Sequence, residues 1–321
     1  MLARLAEHGL VKGRTIGVDA TTLEANAAMR SIVRKDTGAD YREYLAQLAK
    51  EAGIENPTAD DLRRMDRKRS KKTSNDDWEH PHDPDAQVSR MKDGCTHMGH
   101  KAEHAVDMET GATVAVVVRP GAEGDTSSVG FTLAEAMENL TPITGECIEE
   151  VVADKGYHSN EVLTSLAEAG IRTYISEPKR GRRRWAGKDR ERRAVHSNRR
   201  RIRGRRGKEL MRKRGELLER PFAHHYETGR MRRVHLRGHS NIRKRLLVHS
   251  AAQNLALLMR KLIGCGTPRQ SSGAKKGLAA VSAGTGGAES GLRRAICASI
   301  MLFARLKWQY RRSIQPAATA A

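Results

Sequence analysis

Apolar positions change period several times along the chain, and each change marks an element. Residues 1–12 carry Leu2, Leu5, Leu10 and Val11 as a short amphipathic segment. Thr15 to Asp19 reads as a strand that ends in an acid. Leu23, Ala27, Ile32 and Val33 then fall at helical spacing, which predicts a helix over Thr22 to Val33. Two more helices follow, Asp40 to Ala52 and Ala59 to Arg67, the second entered from Thr58. Lys68 to Asp85 is polar and charged and reads as a connector, so 34–86 is a helical insertion. Cys95 to Ala105 and Ala112 to Val118 predict a β-hairpin, the second arm with a β-branched run. A polar loop (Gly121 to Ser128) and a helix (Phe131 to Leu140) come next. The apolar run from Ile148 to Ala153 predicts a buried strand, stopped by Asp154. Ser159 or Asn160 can cap a helix through Ala169, and Arg172 to Ser176 is a further short strand. A helix starts near Lys208. In the helix over Ile242 to Ile263, Leu247, Ala251, Leu255, Leu258 and Leu262 form a stripe that reads as core. Beyond Gly264 a Gly-, Ser-, Ala- and Lys-rich composition predicts a flexible basic tail, 264–321, in which Leu292 to Arg312 has the pattern of a basic amphipathic helix. Periodicity alone gives the α/β class.

Charge narrows the partner. The 321 residues hold 59 Lys and Arg against 38 Asp and Glu, a formal charge of +21. Such an excess calls for a polyanion, and nucleic acid is the default. Lys179 to Arg214 alone holds 19 Lys or Arg against three acids, with Arg182-Arg183-Arg184 and Arg199-Arg200-Arg201 as its densest runs. Like charges at that density repel until phosphate neutralises them, so 179–214 reads as a DNA-tracking segment. Aromatic content is 4%, which argues against stacking on single-stranded bases as the main mode of binding. The four cysteines are scattered without a CxxC pair, which argues against a disulfide framework or a zinc ribbon. No stretch approaches the ~18 consecutive apolar residues of a membrane span, and Met1 to Leu10 does not read as a signal peptide. The expected location is cytoplasmic, at the nucleoid.

The chemistry rests on acids at strand ends. In Val151-Val152-Ala153-Asp154-Lys155-Gly156-Tyr157, Asp154 either caps a turn or stands where open α/β sheets place reacting groups. Asp19 opens a second stretch, Asp19-Ala20-Thr21-Thr22-Leu23-Glu24-Ala25-Asn26. A third holds Glu219-Arg220-Pro221-Phe222-Ala223, followed by Arg232-Arg233-Val234-His235-Leu236-Arg237-Gly238. Glu24 is either a neighbour of Asp19 in the site or a surface charge. Cys95, His97, His100 and His104 have a spacing that superficially suits zinc, but on a strand they do not all share one face. His80 and His82 sit in the polar connector with no evident role, and Asn254 reads as bonded within the core.

Asp-x-Thr-x-x-x-Ala-Asn, Asp-Lys-Gly-Tyr and Arg-Arg-x-x-Leu-Arg-Gly, in this order along the chain around three acids, resemble the DDE transposases of bacterial insertion sequences. The resemblance covers roughly 13–263. It implies an RNase H-like mixed β-sheet flanked by helices, with the helical insertion after the first strand. It also implies a catalytic triad of Asp19, Asp154 and Glu219 holding two Mg²⁺ ions, with Mn²⁺ as a substitute. Asp19 would bridge the two ions, Asp154 would serve the attacking oxygen and Glu219 the leaving 3′ oxygen. Glu227 competes with Glu219 for the third place. Lys155, Arg182, Arg183, Arg184, Arg199, Arg200, Arg201, Arg232, Arg233 and Arg237 are the candidate DNA contacts. Where similar proteins often show Gly-Gly, this chain has Gly229-Arg230. The family usually carries a helical DNA-binding domain ahead of the first strand, whereas 1–12 is a stub, so the expectation is a catalytic domain without that module. The implied partners are element ends and target DNA, with a homodimer by analogy. Three functions stay open on these residues: a transposase that cuts and joins, an RNase H-like nuclease that only cuts, and a non-catalytic DNA-binding remnant.

Overall fold

The computed structural model describes residues 1–69, 73–91, 94–179, 181 and 183–266, apart from the side chains of 220 and 221. In chain order the elements are α1 (Leu2–Glu7), β1 (Thr15–Glu24), β2 (Val33–Arg34), α2 (Tyr41–Glu51), α3 (Ala59–Lys68), β3 (Trp78–Glu79), β4 (Gln87–Arg90) and β5 (Thr96–Asp107). Then come β6 (Thr113–Pro120), α4 (Asp125–Thr144), β7 (Glu150–Ala153), α5 (Asn160–Glu168), β8 (Arg172–Ile175), α6 (Asp189–Arg203), α7 (Arg205–Phe222) and α8 (His239–Ile263). Met29–Ser31 and Lys155–Tyr157 are 3-10 turns, and Ala223–Thr228 is a π-helix that continues α7. The chain divides into two units, Met1–Leu257 and Leu258–Ala321. The sheet and all the candidate site residues belong to the first. The expected tail lies outside the described residues from 267 onward. Among the described residues no helix is long and apolar enough to cross a membrane.

Six strands form one mixed sheet in the order β4-β5-β1-β7-β8, with β6 also on β5. β5 runs antiparallel to β1, and β1, β7 and β8 run parallel. This is the RNase H-like arrangement the resemblance implied. β5 shares its remaining ladder between β4, at Thr96 to Gly99, and β6, at His100 to Val106. Successive β5 side chains face opposite layers. Ala102 packs in the cluster with Ile242 and Leu246 of α8, while Lys101 and Glu103 meet α4 through Ser128 and Thr132.

Two of the outer strands, β6 and β8, are each closed by an asparagine. Asn254 of α8 accepts from Thr113 N at 2.9 Å and donates to Thr113 O at 2.8 Å. Asn198 of α6 does the same for Ile175, at 3.0 and 2.8 Å. Each side-chain amide satisfies an edge strand's backbone and protects it from pairing with another chain. This also explains a correction on α8. Ile242, Leu246, Ser250 and Asn254 are buried; of the expected stripe Leu258 is buried, Ala251, Leu255 and Leu262 are half-buried, and Leu247 is 41% exposed. The helix is apolar on more than one face, and the amide bonds to β6 select which face turns inward.

A second correction concerns Thr22 to Val33. β1 continues through Glu24, paired with β5 as far as Glu24↔Gly99, and the rest is a 3-10 turn and β2. Thr21, Thr22 and Leu23 favour a pleated strand when a partner strand is present. The connector 68–85 is also more structured than its composition suggests. Trp78, 3% exposed, sits on β3 against β2, with the rings of Tyr41 and Tyr44 at 5.2 Å each. Together with Ala25, Ile32, Ala86 and Met98 it makes a small core under the insertion helices. The α2 and α3 capping boxes, Asp40 with Glu43 and Thr58 with Asp61, set where those helices start.

Candidate active site

Strand register brings the first two acids together. In the parallel ladder Val18 pairs with Ala153, so Asp19 on β1 and Asp154, the residue that leaves β7, each follow the last paired position. Neighbouring strands lie about 4.8 Å apart. Asp19 accepts from Ala20 N at 2.9 Å, and Arg214 Nη1 approaches its Oδ2 at 3.4 Å. Asp154 caps the 3-10 turn by accepting from Gly156 N at 2.8 Å. The capping and the site readings of Asp154 are thus compatible, because Asp154 also lines a cleft shared with Asp19.

α7 forms the opposite wall. It packs on β1 where Gly17 leaves room: a Cβ there would stand 2.6 Å from Leu218 Cδ1. Leu218 is fully buried and Glu219, the next residue, is exposed on the cleft side. Asp19, Asp154 and Glu219 line one open cleft of about 750 Å³. Glu219 folds back along its own helix, since a Cβ on Gly215 would lie 3.7 Å from its Oε1. Among the described residues no three His, Cys, Asp or Glu side chains are grouped so that they could hold a metal ion. The donor set, three carboxylates from three elements, is nonetheless the chemistry a hard divalent cation takes.

Glu227 lines the same cleft but is engaged by Arg232, whose Nε donates to Oε1 at 2.9 Å. That bond holds the Glu227 carboxyl below its ordinary range. Glu24 faces Arg233 Nε at 3.5 Å. The arginine segment is fixed by backbone: Glu24 N donates to Arg232 O, and Val234 N donates to Glu24 O, both at 2.9 Å. Arg237 Nε donates to Asn26 O at 3.2 Å.

The remaining cations divide into two groups. Arg199 grips Glu177 with two bonds of 2.9 Å, Arg183 meets Glu177 at 3.0 Å and Asn160 at 2.9 Å, and Arg201 donates to Thr173 O and Oγ1 at 2.9 Å. These three serve the fold. Lys155, Arg184 and Arg200 are exposed. Arg182 lies outside the described residues.

The histidines of β5 have protein partners. His100 Nε2 meets buried Asp83 at 3.1 Å, and His104 Nε2 meets the Tyr226 hydroxyl at 2.9 Å. Burial pushes the His104 imidazolium well down. His97 lines the cleft and Cys95 is exposed.

Sequence reasoning missed Arg214 and Asp125, both of which line the cleft. Asp125 lay in an expected polar loop, where α4 in fact begins at Asp125 after Gly124. The available signal was Gly156. A Cβ there would overlap Asp125 Oδ2 and stand 3.0 Å from Asp154 Oδ1, so a larger residue at this position would displace one of the two carboxylates.

A family model of the transposase DDE domain matches residues 37–255. The match takes in Asp154 and Glu219 and begins beyond β1, which carries Asp19. The same comparison with curated proteins and with solved structures finds no match.

Proposed function

This chain belongs to the transposase DDE domain family, and from that premise we propose that it is a DNA transposase that cuts the ends of an insertion sequence and joins them to target DNA. The observation that carries the reading is the Val18↔Ala153 register, which sets Asp19 beside Asp154 at the cleft facing Glu219. The nucleophile in both steps is an oxygen. It bonds to phosphorus as the bond to the leaving 3′ oxygen breaks, first with water attacking at the element end, then with the freed 3′-hydroxyl attacking target DNA.

Asp19, Asp154 and Glu219 would hold two Mg²⁺ ions, or Mn²⁺ in their place. When bound, such ions activate the attacking oxygen and neutralise the leaving one. On this reading Asp19 would be shared by the ions, Asp154 would lie on the side of the attacking oxygen and Glu219 on the side of the leaving oxygen. Glu219 is preferred to Glu227 because Arg232 already engages Glu227. Lys155, Arg184 and Arg200 are exposed for phosphate contact. Arg232 and Arg233, both exposed, meet phosphate while remaining beside Glu227 and Glu24. Bringing two element ends together calls for two copies of the chain, working on DNA in the cytoplasm.

A joining assay tests this. The full chain is incubated with a short duplex ending in a free 3′-hydroxyl, supercoiled plasmid and Mg²⁺ or Mn²⁺. Covalent joining of the duplex to plasmid, lost in Asp154→Asn, supports the transposase reading. Plasmid cutting without joining would replace it with the nuclease reading.

A further inference from the structure

A nearly dry lysine stands behind the Asp154 turn. Lys101 of β5 has a side chain 4% exposed. Its ammonium meets Asp125 Oδ1 at 2.6 Å and donates to Ser128 Oγ at 2.8 Å and Glu123 O at 3.3 Å. Glu103, on the same face of β5, is fully buried 3.8 Å away. It accepts from Ser128 at 2.8 Å, from Thr132, and from the Tyr157 hydroxyl at 2.8 Å. Burial, together with the Glu103 carboxylate, pushes the Tyr157 phenol up, so it remains a donor at any working pH. Buried ions cost several kcal/mol unless paired and hydrogen-bonded, and here both are.

The network reaches the site at two points. Tyr157 closes the turn that Asp154 opens, and Asp125 stands at the cleft edge against Gly156. The Asp125 and Asp154 carboxylates therefore converge on one side of Gly156, in the space that a Cβ there would take. Two like charges so placed push each other apart, and Lys101 offsets one of them.

We propose that Asp125, held by Lys101, is a positioning residue that seats the Asp154–Tyr157 turn so that Asp154 stays beside Asp19. This rests on the site reading above. Asp125 acts through Asp154 and is assigned no contact with DNA.

Mn²⁺ binding to the full chain, followed by electron paramagnetic resonance beside the thermal midpoint, tests it without any turnover. Asp125→Asn keeps shape and removes charge. It should weaken Mn²⁺ binding by about tenfold, as loss of an outer-shell partner does, with the midpoint little changed. Lys101→Met should weaken binding more, and adding Asp125→Asn to it should restore part of the loss, because the uncompensated charge is gone. Parent-like Mn²⁺ binding by Asp125→Asn, with binding lost in Asp154→Asn, overturns the inference and leaves the site standing. Parent-like binding by Asp154→Asn overturns the site reading and this inference with it.

Discussion

The two walls of the cleft are built differently. On the sheet side, backbone pairing sets Asp19 and Asp154 just past the last paired position, and a buried network fixes the turn behind them. On the helix side, Glu219 is exposed on α7, folds back toward Gly215, and is followed at once by a π-helix. Hydrogen-bonded register fixes the backbone from which Asp19 and Asp154 project. An exposed glutamate with three rotatable bonds has no such constraint. The difference teaches that the sheet wall of the cleft is held by backbone pairing and buried hydrogen bonds, whereas Glu219 on the helix wall is an exposed side chain. π-Helical turns recur at functional sites because they leave a helix with an adjustable register.

The largest test of the comparison lies on the sheet side. Asp19→Asn should lower strand joining by roughly 10³-fold or more, since charge stabilisation of several kcal/mol is lost. Glu24→Gln, on the same strand, should change it by less than about threefold, as expected for a half-exposed charge already paired with Arg233. Asp19 lies outside the residues matched by the family model, so equal effects at the two positions would move the first acid elsewhere.

The helix side comes next. Glu219→Gln should cost roughly 100-fold in joining, while Glu227→Gln should leave the rate within about threefold. The reverse order would make Glu227 the third acid.

Gly156→Ala separates positioning from chemistry. The added methyl overlaps Asp125 and crowds Asp154, so joining should fall about 10- to 100-fold, in line with a misplacement near 1 Å. An alanine variant of parent activity would show that the turn tolerates movement.

The smallest effect is on stability and concerns how the π-helix is seated. Burial, with the like charges of His249 and His224, pushes the His225 imidazolium down to about 4. The unfolded chain binds that proton from about pH 6.5 downward and the fold refuses it. Stability is therefore complete above about pH 6.5 and declines as pH falls toward 4, by about 1–2 kcal/mol between pH 7 and 5. Thermal midpoints across that range measure it, and His225→Gln should flatten the slope. An unchanged slope would place the pH dependence on other groups, His104 first.

Much of this was legible in the chain. The Asp154 strand, the Ser159-capped helix and the β5–β6 hairpin follow from period, caps and β-branching, because each signal is local. Asp19 and Asp154 were readable as strand-end acids, but their common place just past the last paired position is a property of the β1–β7 ladder. What failed depended on distant partners. Thr22 to Val33 has helical spacing, and pairing with β5 makes its first part strand. Trp78 is a lone aromatic in a charged run, and its two tyrosine neighbours lie more than thirty residues earlier in the chain. Asp125 and Lys101 are ordinary surface residues by composition, and they become a pair when α4 covers β5. The basic run 179–214 illustrates the opposite limit. Its charge was plain, but the division into Arg199 and Arg201, bonded inward, and Arg200, exposed, depends on which face of α6 meets β8 and Glu177.

The most direct test of the central claim is nicking of supercoiled plasmid by the purified full chain with Mg²⁺ or Mn²⁺, with Asp154→Asn run beside it. The account predicts metal-dependent nicking by the parent and none by the variant, with salt-sensitive DNA binding intact in both. Absence of nicking by either protein, with that binding retained, would contradict it and favour a DNA-binding remnant.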